Sequence, residues 1–227
     1  GSATHVRFAV PPDPSGWLEL RTAVEIHEAA MEYRKAFDNR ARAGNAGATV
    51  EAMRAALHVH ETKAALHARH VYRAVVPAPI RQWQTETPGI GEPGLARLLG
   101  HLQHPGWKWV HRWDGTGSDR TLILIDSSPR TFGQLIAYAG LVPGRKRSKG
   151  MTAEEVATCG SPHIGPVLHS IAEAAGVKIQ GPYRDIYDAA RLAYKDHEGW
   201  TPGHQHNAAL RIVKREILRS LWEASRQ

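Results

Sequence analysis

The chain has 227 residues, 42% of them hydrophobic, enough to bury the core of one large domain or two small ones. Its 29 lysines and arginines against 22 aspartates and glutamates give a net charge of +7, which favours a polyanionic partner, either nucleic acid or an anionic membrane surface. The chain shows no signal-peptide pattern and no apolar run of about 18 residues, so no membrane insertion is expected and nucleic acid remains; the one cysteine, Cys159, excludes an internal disulfide framework and fits a reducing cytoplasm.

The leading Gly1-Ser2 reads as a cloning scar, and residues 1–15, with three prolines and no periodicity, read as an extended tail. Ser15 is the expected N-cap of a first helix running to about Ala43, with Ile26, Ala30, Tyr33 and Phe37 on its apolar face. A break at "AGNAG" follows, and Thr49 then caps a second helix. Its positions Val50, Met53, Leu57, His60, Ala64, His67 and Val71 keep a 3-4-3-4 spacing, the pattern of a coiled-coil seam. Residues 16–79 therefore predict an antiparallel coiled-coil hairpin, roughly 40 Å long at 1.5 Å per residue. Such a hairpin serves either as two core helices of a bundle or as a protruding homo-oligomerisation arm. His60 and His67 are expected to be structural rather than metal-binding. Pro77 and Pro79 end the hairpin.

From residue 80 to 227 a second, mainly helical domain is expected. "PIRQWQTE" followed by "TPGIGEPGLARLL" is a helix-hairpin-helix pattern. Gly89 and Gly91 allow a sharp turn and close approach to a ligand, and the helix that follows offers unpaired N–H groups to a phosphate. Gly89, Ile90, Gly91 and Arg97 are thus candidate nucleic-acid contacts; the plainer reading is a tight helix–helix turn with Ile90 plugging the core. Between His104 and Arg130, alternating apolar and basic residues from Lys108 to Trp113 and a β-branched run from Thr121 to Ile125 predict a small β-hairpin. Its Trp107, Trp109 and Trp113 either stack on bases of a single strand or anchor the hairpin to the core.

Arg145, Lys146, Arg147 and Lys149 surround Ser148 in the Gly-bounded segment "GLVPGRKRSKG", a set of cations suited to phosphates. The Ser148 hydroxyl is either a phosphate-contacting donor or a nucleophile towards phosphorus. Capping boxes at Thr131 and Thr152 predict helix starts near 132 and 153, and a last helix is expected over about 205–224. That helix carries Leu210, Val213, Ile217 and Leu221 on one face and Arg211, Arg215 and Arg219 on another, either a solvated face or a row along a phosphate backbone. The 14 histidines make no zinc-finger spacing with Cys159, so no metal site is expected.

The segments "TPGIGEPGLARLL", "TFGQLIAYAGLVP", the basic Ser-Lys-Gly loop, "GSPHIGPVLHSIAEAA", "PYRDIYDAARLAY" and "HNAALRIVKREILRSLW" occur in an order that resembles the C-terminal half of the bridge-RNA-guided insertion-sequence transposases, and the helical hairpin resembles their coiled coil. The resemblance implies DNA as partner, guide or structured RNA as a second one, and a cytoplasmic, nucleoid-associated protein. It also implies Ser148 as the nucleophile of a phosphoserine intermediate, although the family shows Ser-Gly where this chain has Ser148-Lys149-Gly150. The family's RuvC-like half, which holds Mg2+ on four acidic residues, has no counterpart here. The chain alone is therefore expected to carry no cofactor and not to perform the family's recombination; the readings left open are a fragment of such a transposase, a non-catalytic DNA-binding protein derived from one, and a purely structural assembly factor in which the coiled coil matters most.

Overall fold

The computed structural model describes residues 12–44, 47–144 and 150–227. The fold is mainly α, as expected. Helix α1 (Pro14–Arg42) and helix α2 (Ala48–Val75) form a long antiparallel hairpin. Its cap is Asp13, whose carboxylate accepts from the Ser15 N–H at 3.0 Å, so the helix starts one residue before the predicted cap. Short helices α3 (Ala78–Glu86) and α4 (Glu92–Leu102) follow, then strands β1 (Trp107–Asp114) and β2 (Thr121–Pro129), paired antiparallel with an irregularity between Val110 and His111. Helices α5 (Phe132–Tyr138) and α6 (Ala153–Thr158) begin at complete capping boxes, as read from the sequence. The body closes with α7 (Ile164–Glu173) running into a π-helical turn at Ala174–Lys178, then α8 (Pro182–Ala193) and the long α9 (Pro202–Ala224). Thr201 caps α9 with a further capping box, three residues earlier than expected.

One apolar core runs through the body, built on Leu95, Leu98 and Leu99 of α4, Leu168 and Ile171 of α7, and Leu210, Val213, Ile217 and Leu221 of α9. The base of the helical hairpin belongs to the same core through Trp17, Leu20, Val24, Val71 and Tyr72. Gly100 makes that junction close: a Cβ there would lie 2.7 Å from Val24 Cγ2, so the Val24 side chain of α1 packs directly on the α4 backbone.

The hairpin departs from the predicted seam over much of its length. Ala64 and Val71 are buried, but Met53, His60 and His67 are exposed, as are Ile26 and Tyr33 of α1. Towards the tip an ion network links the helices: Arg34 bonds both Asp38 and Glu61, and Arg54 bonds Asp38 at 2.6 Å. Charged groups hold the two helices together where an apolar stripe was expected, and the apolar residues point outward.

Candidate nucleic-acid interface

The Pro-Gly-Ile-Gly turn lies between α3 and α4 and is docked on the body. Gly89 has φ +85°, and a Cβ there would fall 2.5 Å from Ala175 Cα, so both conformation and space require glycine. Ile90 is 3% exposed and plugs the core, while its carbonyl accepts from Gln84 Nε2 at 3.0 Å. Gly91 is exposed. The next residue, Glu92, accepts from Arg69 at 2.7 Å and Arg73 at 2.9 Å, so the N-terminus of α4 carries an anion from the chain itself. Burial pushes the Glu92 carboxyl up, but the two arginines outweigh it and hold it below its ordinary value. Any contact from this turn is confined to backbone at Gly89 and Gly91.

Arg97 is engaged inside the molecule. Its Nε and Nη2 donate to Glu28 Oε1 at 3.0 and 2.8 Å, and His101 Nε2 lies 2.8 Å from Glu28 Oε2. The His163 ring stacks on His101 with centroids 4.9 Å apart. Glu28, His101 and His163 bring one ligand atom each within 4.8 Å of one another, a grouping that spacing along the chain did not reveal. Both Glu28 oxygens are already bonded by Arg97 and His101, so the carboxylate is satisfied within a hydrogen-bonded triad that fastens α1 to α4. Burial alone would raise the Glu28 carboxyl; the hydrogen bonds from His101 and Arg97 bring it down to about 2 instead.

Cations gather along α9. A cleft of about 1160 Å³ opens between the end of α5, the α7 face, the α8–α9 connection and α9. Arg211, Lys214 and Arg215 line it together with His169, His204, Asn207, Tyr194 and Trp200. Burial and the neighbouring Arg211 charge push the Lys214 ammonium below its ordinary value. Burial does the same to His169, with Lys214 adding to it against the pull of Glu173. Such positive crowding is relieved by an anion. None of the described residues lining the cleft is acidic. Arg219, the third member of the arginine row, turns away: its guanidinium lies over the Phe132 ring and reaches Glu216 at 3.3 Å.

Gly140 and Leu141 form one lip of this cleft, and the basic segment starts from there. Gly140 takes φ +71° and sits where a Cβ would meet the Cys159 carbonyl at 2.8 Å, which fixes the direction of departure. Arg145, Lys146, Arg147, Ser148 and Lys149 lie outside the described residues. Sequence reasoning named Arg211 and Arg215 but missed Lys214, although the i, i+3, i+4 spacing of the three puts them on one face. His169 and Trp200 come from other segments and carried no signal in the sequence.

The β-hairpin divides its tryptophans. Trp107 and Trp109 are buried, with Trp107 Nε1 donating to Ser127 Oγ at 2.6 Å, and Trp109 packs near Trp17 and His104. They anchor the hairpin. Trp113 alone of the three stands 61% exposed.

No family model matches the chain, and neither does any curated protein. No helix among the described residues is long and apolar enough to cross a membrane.

Proposed function

We propose that the chain binds nucleic acid, with DNA as its principal ligand and structured or guide RNA as a second one, through the α9 cleft and the basic residues 145–149, which follow the cleft-lining Gly140 and Leu141 in the chain. The observation that supports this reading is the convergence of Arg211, Lys214 and Arg215 in one acid-free cleft that Gly140 and Leu141 also line. The exposed backbone at Gly91, with the half-exposed Gly89, adds a contact without side chains. The resemblance described above adds the chemistry: Ser148 would attack phosphorus beside cations that stabilise the developing charge, in concert with a RuvC-like domain. Mg2+ would not be held in this cleft, whose lining offers no carboxylate for a hard cation. The exposed apolar residues of the helical hairpin support self-association, and the site of action would be the cytoplasmic nucleoid.

A second reading is DNA binding or bridging without chemistry. It is favoured by Lys149, which stands between Ser148 and Gly150 where the resembling family shows Ser-Gly. Trapping a phosphoserine on Ser148 in the presence of an added RuvC-like domain would exclude it.

Anisotropy titration of labelled duplex DNA with the Arg211→Ala, Lys214→Ala, Arg215→Ala triple variant tests the shared claim. Each lost phosphate contact removes about 0.9 from the slope of log K against log salt, so the triple variant should bind more weakly and flatten the slope by about 2 to 3. Affinity and slope equal to the wild type would refute the cleft as the binding site.

A further inference from the structure

The cleft has two unlike ends. Along α9 its lining residues run from His204 through Asn207 to Arg211, Lys214 and Arg215, so the cationic end lies about 10 Å down the helix from His204 at 1.5 Å per residue. At the other end stand Tyr194, just past α8, and Trp200, just before the Thr201 cap of α9. Their rings lie 5.2 Å apart, and the Trp200 indole is backed by His197, stacked on it at 4.1 Å and 20°. His197 does not line the cleft, so it supports the indole from outside and leaves the Tyr194–Trp200 pair to form the wall.

An anion-only site needs the cationic end and has no use for a braced aromatic wall. A duplex has phosphates for the cationic end, but its paired bases are stacked on one another and cannot reach an indole inside a cleft. A nucleotide outside a duplex meets both requirements, since every unpaired base offers a face for stacking while its phosphate stays charged. His204 and Asn207, between the two ends along α9, add hydrogen-bonding groups for sugar or base edges. The volume, about 1160 Å³, is somewhat larger than ordinary small-ligand sites and accommodates a nucleotide with its flanking phosphates.

We propose that the α9 cleft seats an unpaired nucleotide of a single strand or of a locally opened duplex, its base against Trp200 and Tyr194 and its phosphates on Arg211, Lys214 and Arg215. This rests on the nucleic-acid reading above and narrows it: the body recognises strand opening.

The test compares a labelled 12-nucleotide single strand, as DNA and as RNA, with a fully paired duplex of the same sequence, titrated against wild type, Trp200→Ala, Trp200→Phe and the triple charge variant. Trp200→Ala should weaken single-strand binding about tenfold or more, the lower range for loss of one stacked base, and leave duplex binding within about twofold. Trp200→Phe should retain most of the single-strand affinity. The proposal is overturned if Trp200→Ala binds single strands like the wild type, or if it loses single strand and duplex equally. The underlying reading fails in a different way, with the triple charge variant binding every probe as the wild type does. Equal effects on the DNA and RNA strands mean that the cleft recognises the unpaired base itself; a Trp200→Ala loss on one of them names the ligand.

Discussion

Replacing Glu28 by Gln should weaken the joint between the helical hairpin and the body by an amount set by its carboxyl. That group drops from an ordinary 4.5 to about 2, because hydrogen bonds from His101 and Arg97 outweigh burial. At 1.36 kcal/mol per pH unit, the difference corresponds to on the order of 3 kcal/mol, and partial solvent screening, with Glu28 21% and Arg97 32% exposed, brings the expectation to about 2 kcal/mol. The amide keeps the shape but leaves the Arg97 charge without its carboxylate and the buried His101 ring without a charged hydrogen-bond partner. Because the folded-state carboxyl is depressed, the stabilisation is complete above pH 4.5 and is lost as the pH falls towards 2. The wild type should thus be about 2 kcal/mol more stable than Glu28→Gln at pH 7, with the gap smaller by just under 1 kcal/mol at pH 4 (~0.8 from the linkage relation). Urea unfolding followed by circular dichroism at the two pH values measures both. A gap below about 0.5 kcal/mol at pH 7, or one that does not change by pH 4, would refute the triad as a structural fastener.

Three further outcomes are expected. Gly89→Ala combines φ +85° with a Cβ placed 2.5 Å from Ala175 Cα, so it should cost about 3 kcal/mol or more in urea unfolding or abolish folding; a near-neutral effect would mean that the turn is not docked on the π-helical segment. Burial, with a contribution from Arg130, pushes the His104 imidazole down to about 4; stability is therefore complete above an ordinary 6.5 and falls with pH from there to 4, and His104→Gln should flatten that part of the stability profile. Tyr33, 66% exposed, and Leu66, 57% exposed, lie on the surface of the helical hairpin, and Tyr33→Lys with Leu66→Lys should convert an assembly joined by that surface to monomer by sedimentation equilibrium; a monomeric wild type would refute self-association.

What the sequence disclosed followed the range of the interactions involved. The ends of α2, α5 and α6 are set by groups a few residues away, Pro77 at the first and Thr131 and Thr152 at the others, so reading the chain locally was sufficient. The seam of α2 was half legible: Ala64 and Val71 are buried as their spacing predicts, but Arg34, Asp38, Arg54 and Glu61 form a network across the two helices that no single-helix periodicity contains. The same limit holds at the site. Arg97 looks free in its own helix because its partner Glu28 is 69 residues away, and Ile90 offers either a ligand contact or a core plug until Ala175 is placed beneath the turn. Lys214 was within reach of a closer reading of α9. The aromatic wall was not, since Tyr194 and Trp200 face Arg211 only through the turn between α8 and α9.

The most direct test of the account is the salt dependence of binding by the wild-type chain to duplex DNA, single-stranded DNA and structured RNA, measured by anisotropy between about 50 and 200 mM salt. The account predicts binding that weakens steeply and linearly on a log–log scale, with a slope of at least about −3 from the α9 cations alone. No binding to any of the three probes at the lowest salt would contradict it.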